Sequence, residues 1–492
     1  MNFLNSHKNL LLLIIATAFL SSAAFQGSRG LYETTEGRYA ECARQMVARG
    51  NLLEPVLNNQ FHWSKPPLAY WCIAAGMEVF GQNAWGVRAC LVIAFVLTVL
   101  AVYHIGTLLW GESAGLFSAL VYSTSPFTLV TANVISTDVI LTLWETMSIL
   151  FFWIWVRRKK SRFIILMWLA AALGFMTKGP VALMPMFAII PTWILVKRRD
   201  PDLRSMFHPL GIVVFLVVGL SWYVYESAIH PGLLRYWLMD ETVGRNLHGK
   251  FGRNPEFYNA FLIYLPILCF GTGQWIVVLA SKYKHIPWPR DKWLRPLEWT
   301  YGIEWTYLIL NVFIPLAIFS LATSKLPLYV LPLLVPVSLA VGKGLDWLVA
   351  TGKVRTRFLL KIAAAVVLIV VVGKGLSPYF PSSKDMKRLA ADITPILKKY
   401  PNHQLYSKHR FGLQFYLGYT IPDFAHFTIS DVMKNSKETG LVSLVLCKSH
   451  NLAKLDKQYN ISRFTIETAN PFWSVIVATE PKEKRSNEQR SE

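Results

Sequence analysis

The chain has 492 residues, with 50 Lys or Arg against 29 Asp or Glu, a formal charge of +21, 53% apolar residues and only 16% charged ones. Soluble proteins carry roughly 25% charged residues, so this composition excludes an ordinary soluble globule, a disordered chain and a collagen-like fibre, and it points to lipid as the main solvent. Five cysteines (Cys42, Cys72, Cys90, Cys269, Cys447) lack C-x-x-C or finger spacing, which excludes a disulfide framework and a zinc ribbon and leaves small apolar side chains, buried or facing lipid.

A membrane-spanning helix needs about 20 mostly apolar residues, because roughly 30 Å of hydrocarbon must be crossed at 1.5 Å per residue. The run from Asn9 to Phe25 reads as the first such helix. Its start after Lys8 and its small-residue end keep a cleavable signal peptide as the alternative. Residues 26–86 then form a long loop. Within it the apolar stretch Pro66 to Phe80 is too short for a comfortable crossing and reads as a helix lying in the membrane interface. Further apolar runs lie near 87–109, 114–132, 139–156, 163–177, 180–196, 210–226, 259–280, 301–322, 326–342 and 358–376. With the first run these make about 11, and at most about 13, spanning helices.

Lys and Arg in short loops stay on the cytoplasmic side. Four clusters mark that side: Arg157 to Lys160, Lys197-Arg198-Arg199, the Lys282 to Arg295 stretch, and Lys353 to Arg357. Counting crossings from Arg157 places the loop 26–86, Asp138, Lys178, the 227–258 loop, Lys325 and everything beyond about 377 on the opposite, outer face. The basic runs alternate with the spans, so topology accounts for the excess charge and no nucleic-acid partner is expected. Residues 1–377 therefore read as one transmembrane module. From Pro378 the composition changes: 17 basic and 11 acidic residues give +6, the stretch Asp385 to Lys399 is helical in pattern, and Val442 to Leu446 is strand-like. That pattern predicts a small soluble α/β domain over 378–480, followed by a disordered tail, 481–492. The triplet Asn460-Ile461-Ser462 matches a glycosylation sequon by chance, and no solenoid repeat is present.

Chemistry-bearing residues cluster on the outer side. The first loop carries Glu33, Thr35, Glu36, Arg38 and Tyr39, and then Ser64-Lys65-Pro66-Pro67. Glu33, Glu36, Tyr39 and Ala40 fall at helical spacing, so a solvated amphipathic helix is the plain reading of that segment. Asp138 follows Ser136-Thr137 and is either a helix N-cap or a site carboxylate. Lys178 and Lys325 sit at two further outer turns, where a lysine often only snorkels. Taken together, Arg38, Lys65, Lys178 and Lys325 suit an anionic phosphate leaving group, and Glu36 or Asp138 suits acid-base work on an acceptor.

The motifs Glu36-Gly37-Arg38-Tyr39-Ala40-Glu41, Lys65-Pro66-Pro67-Leu68-Ala69-Tyr70-Trp71, Thr137-Asp138, Lys178-Gly179-Pro180 and Lys325-Leu326-Pro327-Leu328-Tyr329 occur in that order. In this order they resemble the polytopic GT-C glycosyltransferases, most of all the aminoarabinose transferases that modify lipid A, relatives of the protein O-mannosyltransferases. The resemblance covers residues 9–345. It implies a sugar linked to polyprenyl (undecaprenyl) phosphate as donor and a glycolipid such as lipid A as acceptor. It also implies a bacterial inner-membrane location with site and C-terminal domain facing the periplasm. Residue by residue it gives Arg38, Lys65, Lys178 and Lys325 the donor phosphate, Glu36 or Asp138 the role of base, and Tyr39 and Tyr329 the sugar or lipid groove. Thr35 stands where the family has Asp and Ser64 where it often has a metal-binding Glu, so the base passes to Glu36, Glu33 or Asp138 and a divalent metal is left unspecified. Glu241, Arg245 and His248 are further candidates, read equally well as a helix pair and a surface histidine. Protein or cell-envelope glycan O-glycosylation differs from this reading only in acceptor. A transporter of lipid-linked sugar is the alternative of another class, against which stands the clustering of polar residues at one face rather than at the midplane.

Overall fold

The computed structural model describes residues 6–196, 203–244, 252–285, 303–423, 429–459, 461 and 464–478. Arg245, His248, the cluster Lys197-Arg198-Arg199, most of the Lys282 to Arg295 stretch, both ends of the 460–462 sequon and the 481–492 tail lie outside the described residues. The chain divides into two compact units.

The first unit, residues 1–28, 46–55 and 62–377, is a helical bundle. Among the described residues six helices are long and apolar enough to cross a membrane: Gly86–Trp110, Thr137–Arg158, Ser161–Thr192, Pro209–Ile229, Ile303–Leu321 and Thr356–Tyr379. A seventh crossing arises if the helices Tyr258–Phe270 and Gln274–Ser281, bent by 70° against each other, are taken as one. Uninterrupted spans are thus fewer than the apolar runs of the sequence, for two reasons. The runs 163–177 and 180–196 join through a 3₁₀ turn, Gly179–Leu183, into one apolar stretch. The runs 9–25, 114–132 and 326–342 fold into shorter helices: His7–Ala23, Glu112–Thr124 with Pro126–Thr131, and Leu334–Ala350. Leu68–Phe80 has 13 residues, about 20 Å of helix, too short to cross.

Local sequence explains the hairpin that matters most for the site. Ser136 caps the helix Thr137–Arg158 by accepting the Asp138 N–H, and Arg157 and Arg158 in the last turn complement the carbonyl end. Lys159 closes the helix in the left-handed conformation. The next helix, Ser161–Lys178, therefore returns antiparallel along the first. Elsewhere in the bundle, small residues permit close backbone approach: a Cβ on Gly342 would lie 2.4 Å from the Ser118 nitrogen.

The second unit, residues 29–45, 56–61 and 378–492, is built on a four-stranded sheet. Its strand order is His403–Ser407, Val442–Lys448, Trp473–Ala478, Thr465–Asn470; the first pair is parallel and the other two are antiparallel. Residues along the central strands alternate between two apolar layers. Leu444 and Val475 pack with Met386, Leu389 and Leu413, while Val445 and Ile476 pack with Tyr406 and Val432. Both faces are covered, which is why the strand reads as a continuous apolar run.

The first loop was expected to belong wholly to the 1–377 module, yet two of its segments join the C-terminal sheet domain. Backbone hydrogen bonding is the cause. The Gly30 N–H donates to Asp385 Oδ2 at 3.1 Å, the Met386 N–H to the Leu31 carbonyl at 3.1 Å, the Leu31 N–H to the Tyr416 hydroxyl at 3.1 Å, and the Gly412 N–H to Glu33 Oε2 at 2.9 Å. These bonds satisfy two amides of the loop, Gly30 and Leu31, and two of the C-terminal segment, Met386 and Gly412.

Burial pushes the Glu33 carboxyl up to about 7, against the weaker opposing pull of the Gly412 N–H and of Arg410 and Arg38. A carboxyl raised in the folded state from an ordinary 4.5 favours folding most below pH 4.5, and that advantage is lost as pH rises through about 7. Replacing Glu33 by Gln should therefore stabilise the full chain relative to wild type by about 3 kcal/mol more at pH 8 than at pH 4.5. Thermal unfolding of both proteins in detergent across that range is the measurement, and parallel curves would contradict the burial argument.

Candidate functional site

In the first unit, Asp138 and Lys178 meet at one end of the antiparallel hairpin. Lys178 Nζ donates to Asp138 Oδ1 at 2.5 Å, and the side chains are only 11% and 9% exposed. The N-cap of the helix is Ser136, so Asp138 is released from capping and its side chain is available to the pair. The ammonium also stands over the Tyr329 ring, 4.4 Å from the centroid. That arrangement balances one cation with one carboxylate and one π face in a poorly hydrated setting, where an isolated ammonium would be costly. Gly179, next in sequence, turns the chain with φ +79° and brings it up to the Tyr223 hydroxyl.

Lys65 is held separately. Its Nζ donates to the Ser64 carbonyl at 2.5 Å and lies 3.7 Å from Glu241, whose Oε1 also accepts from the Tyr236 hydroxyl at 3.1 Å. Two apolar clusters carry Lys65 and Tyr329 toward the Lys178 turn. Met176, two residues before Lys178, packs with Trp222, Trp237, Trp63 and Leu68 around the Lys65 loop. Val181, three residues after it, packs with Met184, Tyr264 and Tyr329. The turn at 178 thus joins both.

Lys325 differs from the sequence expectation of an outward phosphate ligand. It is 1% exposed, and its ammonium donates to the carbonyls of Ala322, at 2.7 Å, and Pro255, at 3.0 Å. Its backbone N–H and C=O are likewise tied to Arg253 and Asn254. Burial holds its pKa below the ordinary lysine value, opposed by Glu256. Lys325 therefore ties the end of helix Ile303–Leu321 to the 253–255 segment.

In the second unit Glu36 is 2% exposed and committed: Arg29 grips it with two hydrogen bonds, at 2.5 and 3.1 Å, and the Tyr32 N–H adds a third at 3.0 Å. That is a structural clamp on the start of helix Thr35–Ala48, in place of the free base expected. Arg38 lies over Tyr39, 5.5 Å from its centroid, and the Tyr39 ring is buried. Thr35 and Ser64 each offer a hydroxyl where a hard divalent metal favours a carboxylate, and Ser64 Oγ is bonded to His62 Nε2 at 2.9 Å.

Glu145 was not singled out by the sequence reasoning. It is buried one helix face below Asp138, seven residues on, and its Oε1 has no hydrogen-bond partner among the described residues. The signal was present, since an acid in mid-span at a spacing of seven from another acid marks one stripe of the helix.

Comparison with known proteins agrees with this architecture. The family described as dolichyl-phosphate-mannose-protein mannosyltransferase matches residues 64–225. An undecaprenyl phosphate-alpha-4-amino-4-deoxy-L-arabinose arabinosyl transferase of Pseudomonas fluorescens is 30% identical over 67% of this chain and 58% of its own length. The corresponding protein of Pseudomonas savastanoi pv. phaseolicola is 31% identical over 68% and 60%. The chain thus matches about 60% of the length of these relatives. Among solved structures, ArnT from Cupriavidus metallidurans bound to undecaprenyl phosphate superimposes with a TM-score of 0.73 at 19% identity, covering 95% of this chain and 97% of that one. The oligosaccharyltransferase AglB of Archaeoglobus fulgidus gives 0.55 at 10% identity, covering 95% and 73%. The multi-pass helical unit and the small C-terminal sheet thus share the fold of ArnT, and in sequence the chain is similar to the aminoarabinose transferases over about two thirds of its length and to the mannosyltransferase family over residues 64–225.

Proposed function

We propose that the protein is a membrane glycosyltransferase that moves a sugar, a pentose of the aminoarabinose type, from polyprenyl (undecaprenyl) phosphate to a glycolipid acceptor such as lipid A on the periplasmic face of a bacterial inner membrane. The observation that carries this reading is the Lys178 ammonium, held by Asp138 and Tyr329 at one end of a membrane-length hairpin. The names of the matched relatives and the undecaprenyl phosphate in the Cupriavidus structure support the donor class. The basic turn Arg157 to Lys160, at the other end of the hairpin, supports the periplasmic assignment by the positive-inside rule.

Chemically, the acceptor hydroxyl oxygen forms a bond to the anomeric carbon while the bond from that carbon to the phosphate oxygen breaks, and the hydroxyl proton passes to an oxygen of the departing phosphate. Polyprenyl phosphate departs with the electron pair. Lys178 and Lys65 lower the cost of the departing charge as point-charge donors. Asp138 acts through Lys178: with one oxygen taken by the ammonium, its part is to aim that ammonium, and Tyr329 limits where the ammonium can swing. For Arg38 and Tyr39 a part in donor binding rests on the motif resemblance alone.

Replacing Lys178 by Met should lower turnover in proteoliposomes by roughly 10²- to 10³-fold, the usual loss for one donor facing a developing anion, and Lys65→Glu should abolish it. Asp138→Asn should fall between Lys178→Met and wild type. The assay supplies radiolabelled polyprenyl-phosphate sugar and follows label into lipid and protein fractions. Label in protein would redirect the acceptor, and label that crosses the bilayer unattached would overturn the enzyme reading. Lys325→Met separates structure from chemistry. It should lower unfolding stability by about 2 to 4 kcal/mol through two lost charge-assisted hydrogen bonds, visible as a lower thermal midpoint, whereas the double variant Lys178→Met with Asp138→Asn, which leaves no stranded charge, should lose turnover with a midpoint near wild type.

A further inference from the structure

Away from Lys178, three ligand-type side chains converge where the first loop meets the end of the helix Leu220–Ile229. His230 Nε2 lies 3.0 Å from Glu54 Oε1 and 3.6 Å from Glu226 Oε2, and the three donor atoms fall within 4.8 Å of one another. Glu226 is fully buried, and neither of its carboxylate oxygens has a hydrogen-bond partner among the described residues. A buried carboxylate left that way costs several kcal/mol unless a proton or a cation joins it. His230 is the C-cap residue of that helix, four positions after Glu226, and its N–H donates to the Glu226 carbonyl, which brings the two side chains to one side of the helix end.

We propose that Glu54, Glu226 and His230 bind a divalent transition-metal ion of the zinc class. One imidazole nitrogen and two carboxylate oxygens suit that class, with a fourth position for water. Calcium and magnesium want more oxygen ligands and no imidazole. At zinc-ligand bonds of about 2.0 to 2.1 Å, tetrahedral donors lie roughly 3.3 Å apart, so the observed spacing needs only small side-chain movements. Asn51 Nδ2 donates to Glu54 Oε2 at 2.7 Å, which turns Oε1 toward the histidine, and Asn51 Oδ1 accepts the Leu53 N–H at 3.0 Å. The Trp63 ring packs against His230 with centroids 4.9 Å apart.

The ion's work is positional. It pins residues 51–54 to the end of the helix Leu220–Ile229, and the same loop goes on to Trp63 and Lys65. This differs from the positions of Thr35 and Ser64, and it stands independently of the glycosyltransferase reading.

The test uses the full-length protein in detergent, stripped with chelator and titrated with Co²⁺. Wild type should show a saturable d–d absorption band at one ion per chain, and Zn²⁺ should displace it and raise the thermal midpoint. His230→Ala should weaken Co²⁺ binding at least 100-fold and Asn51→Ala about 10-fold. Glu54→Gln, which changes only a partly exposed ligand, should weaken binding while leaving the metal-free thermal midpoint unchanged, so that loss of the fold cannot mimic loss of the site. Absence of a saturable band in wild type, or equal Co²⁺ affinity in wild type, His230→Ala and Glu54→Gln, overturns the assignment.

Discussion

The pairing of Lys178 with Asp138 is the constraint on which the site rests. Neither group is stable alone at the edge of a hydrocarbon-sized bundle: a desolvated ammonium needs an anion, and a desolvated carboxylate needs a cation. Their separation of 40 residues is bridged only because the helices Thr137–Arg158 and Ser161–Lys178 form a tight hairpin and run to similar lengths. The hairpin turn is basic and the open end holds the balanced pair, so the charge pattern orients the helices as well as arming the site. On the proposed function, a phosphate arriving at that end would meet an ammonium already aimed, without the reorganisation that water would require.

Much of this was legible in the sequence, and the limits have physical causes. Apolar runs identify spanning helices because lipid demands length and hydrophobicity, and Asp138 and Lys178 stood out as charges at span ends. Apolar runs do not fix the count of spans, since a linear pattern does not show that a 3₁₀ turn at Gly179–Leu183 continues an apolar stretch instead of ending it. Lys178 and Lys325 looked alike, each a lysine before a Gly-Pro or Leu-Pro turn. They diverge because one faces a carboxylate and an aromatic ring and the other faces two carbonyls. Counter-charges are chosen by tertiary packing, which a linear pattern does not carry. Glu36 is a similar case: Arg29, seven residues earlier, takes both of its oxygens.

The split of the first loop between the two units has the same origin. Composition changes at Pro378, so a boundary there is visible from residues alone. The segments Arg29–Gln45 and Val56–Phe61 carry no compositional mark of belonging with the C-terminal sheet. What assigns them is hydrogen bonding by Gly30, Leu31 and Glu33 to Asp385, Met386, Tyr416 and Gly412, pairs separated by more than 350 residues. Such contacts have no local signature.

Precise placement of a loop whose only ladder is the short pair Val56–Leu57 and Gln60–Phe61 needs further anchors, and before Lys65 tryptophans supply them. Trp71 Nε1 donates to the Leu52 carbonyl, Trp222 Nε1 to the Leu53 carbonyl and Trp237 Nε1 to the Trp63 carbonyl, at 2.6, 2.8 and 2.9 Å. Each indole buries a large apolar face in the bundle and spends its single polar atom on the loop. Indoles favour the membrane interface for the same amphipathic reason, so the residues suited to that depth are also those able to hold the loop there. These three bonds fix the chain at carbonyls 52, 53 and 63, the last of them two residues before Lys65. The Lys65 ammonium is thereby confined without a helix or strand of its own, and the loop can differ in sequence along its length provided those carbonyls stay where the indoles reach them.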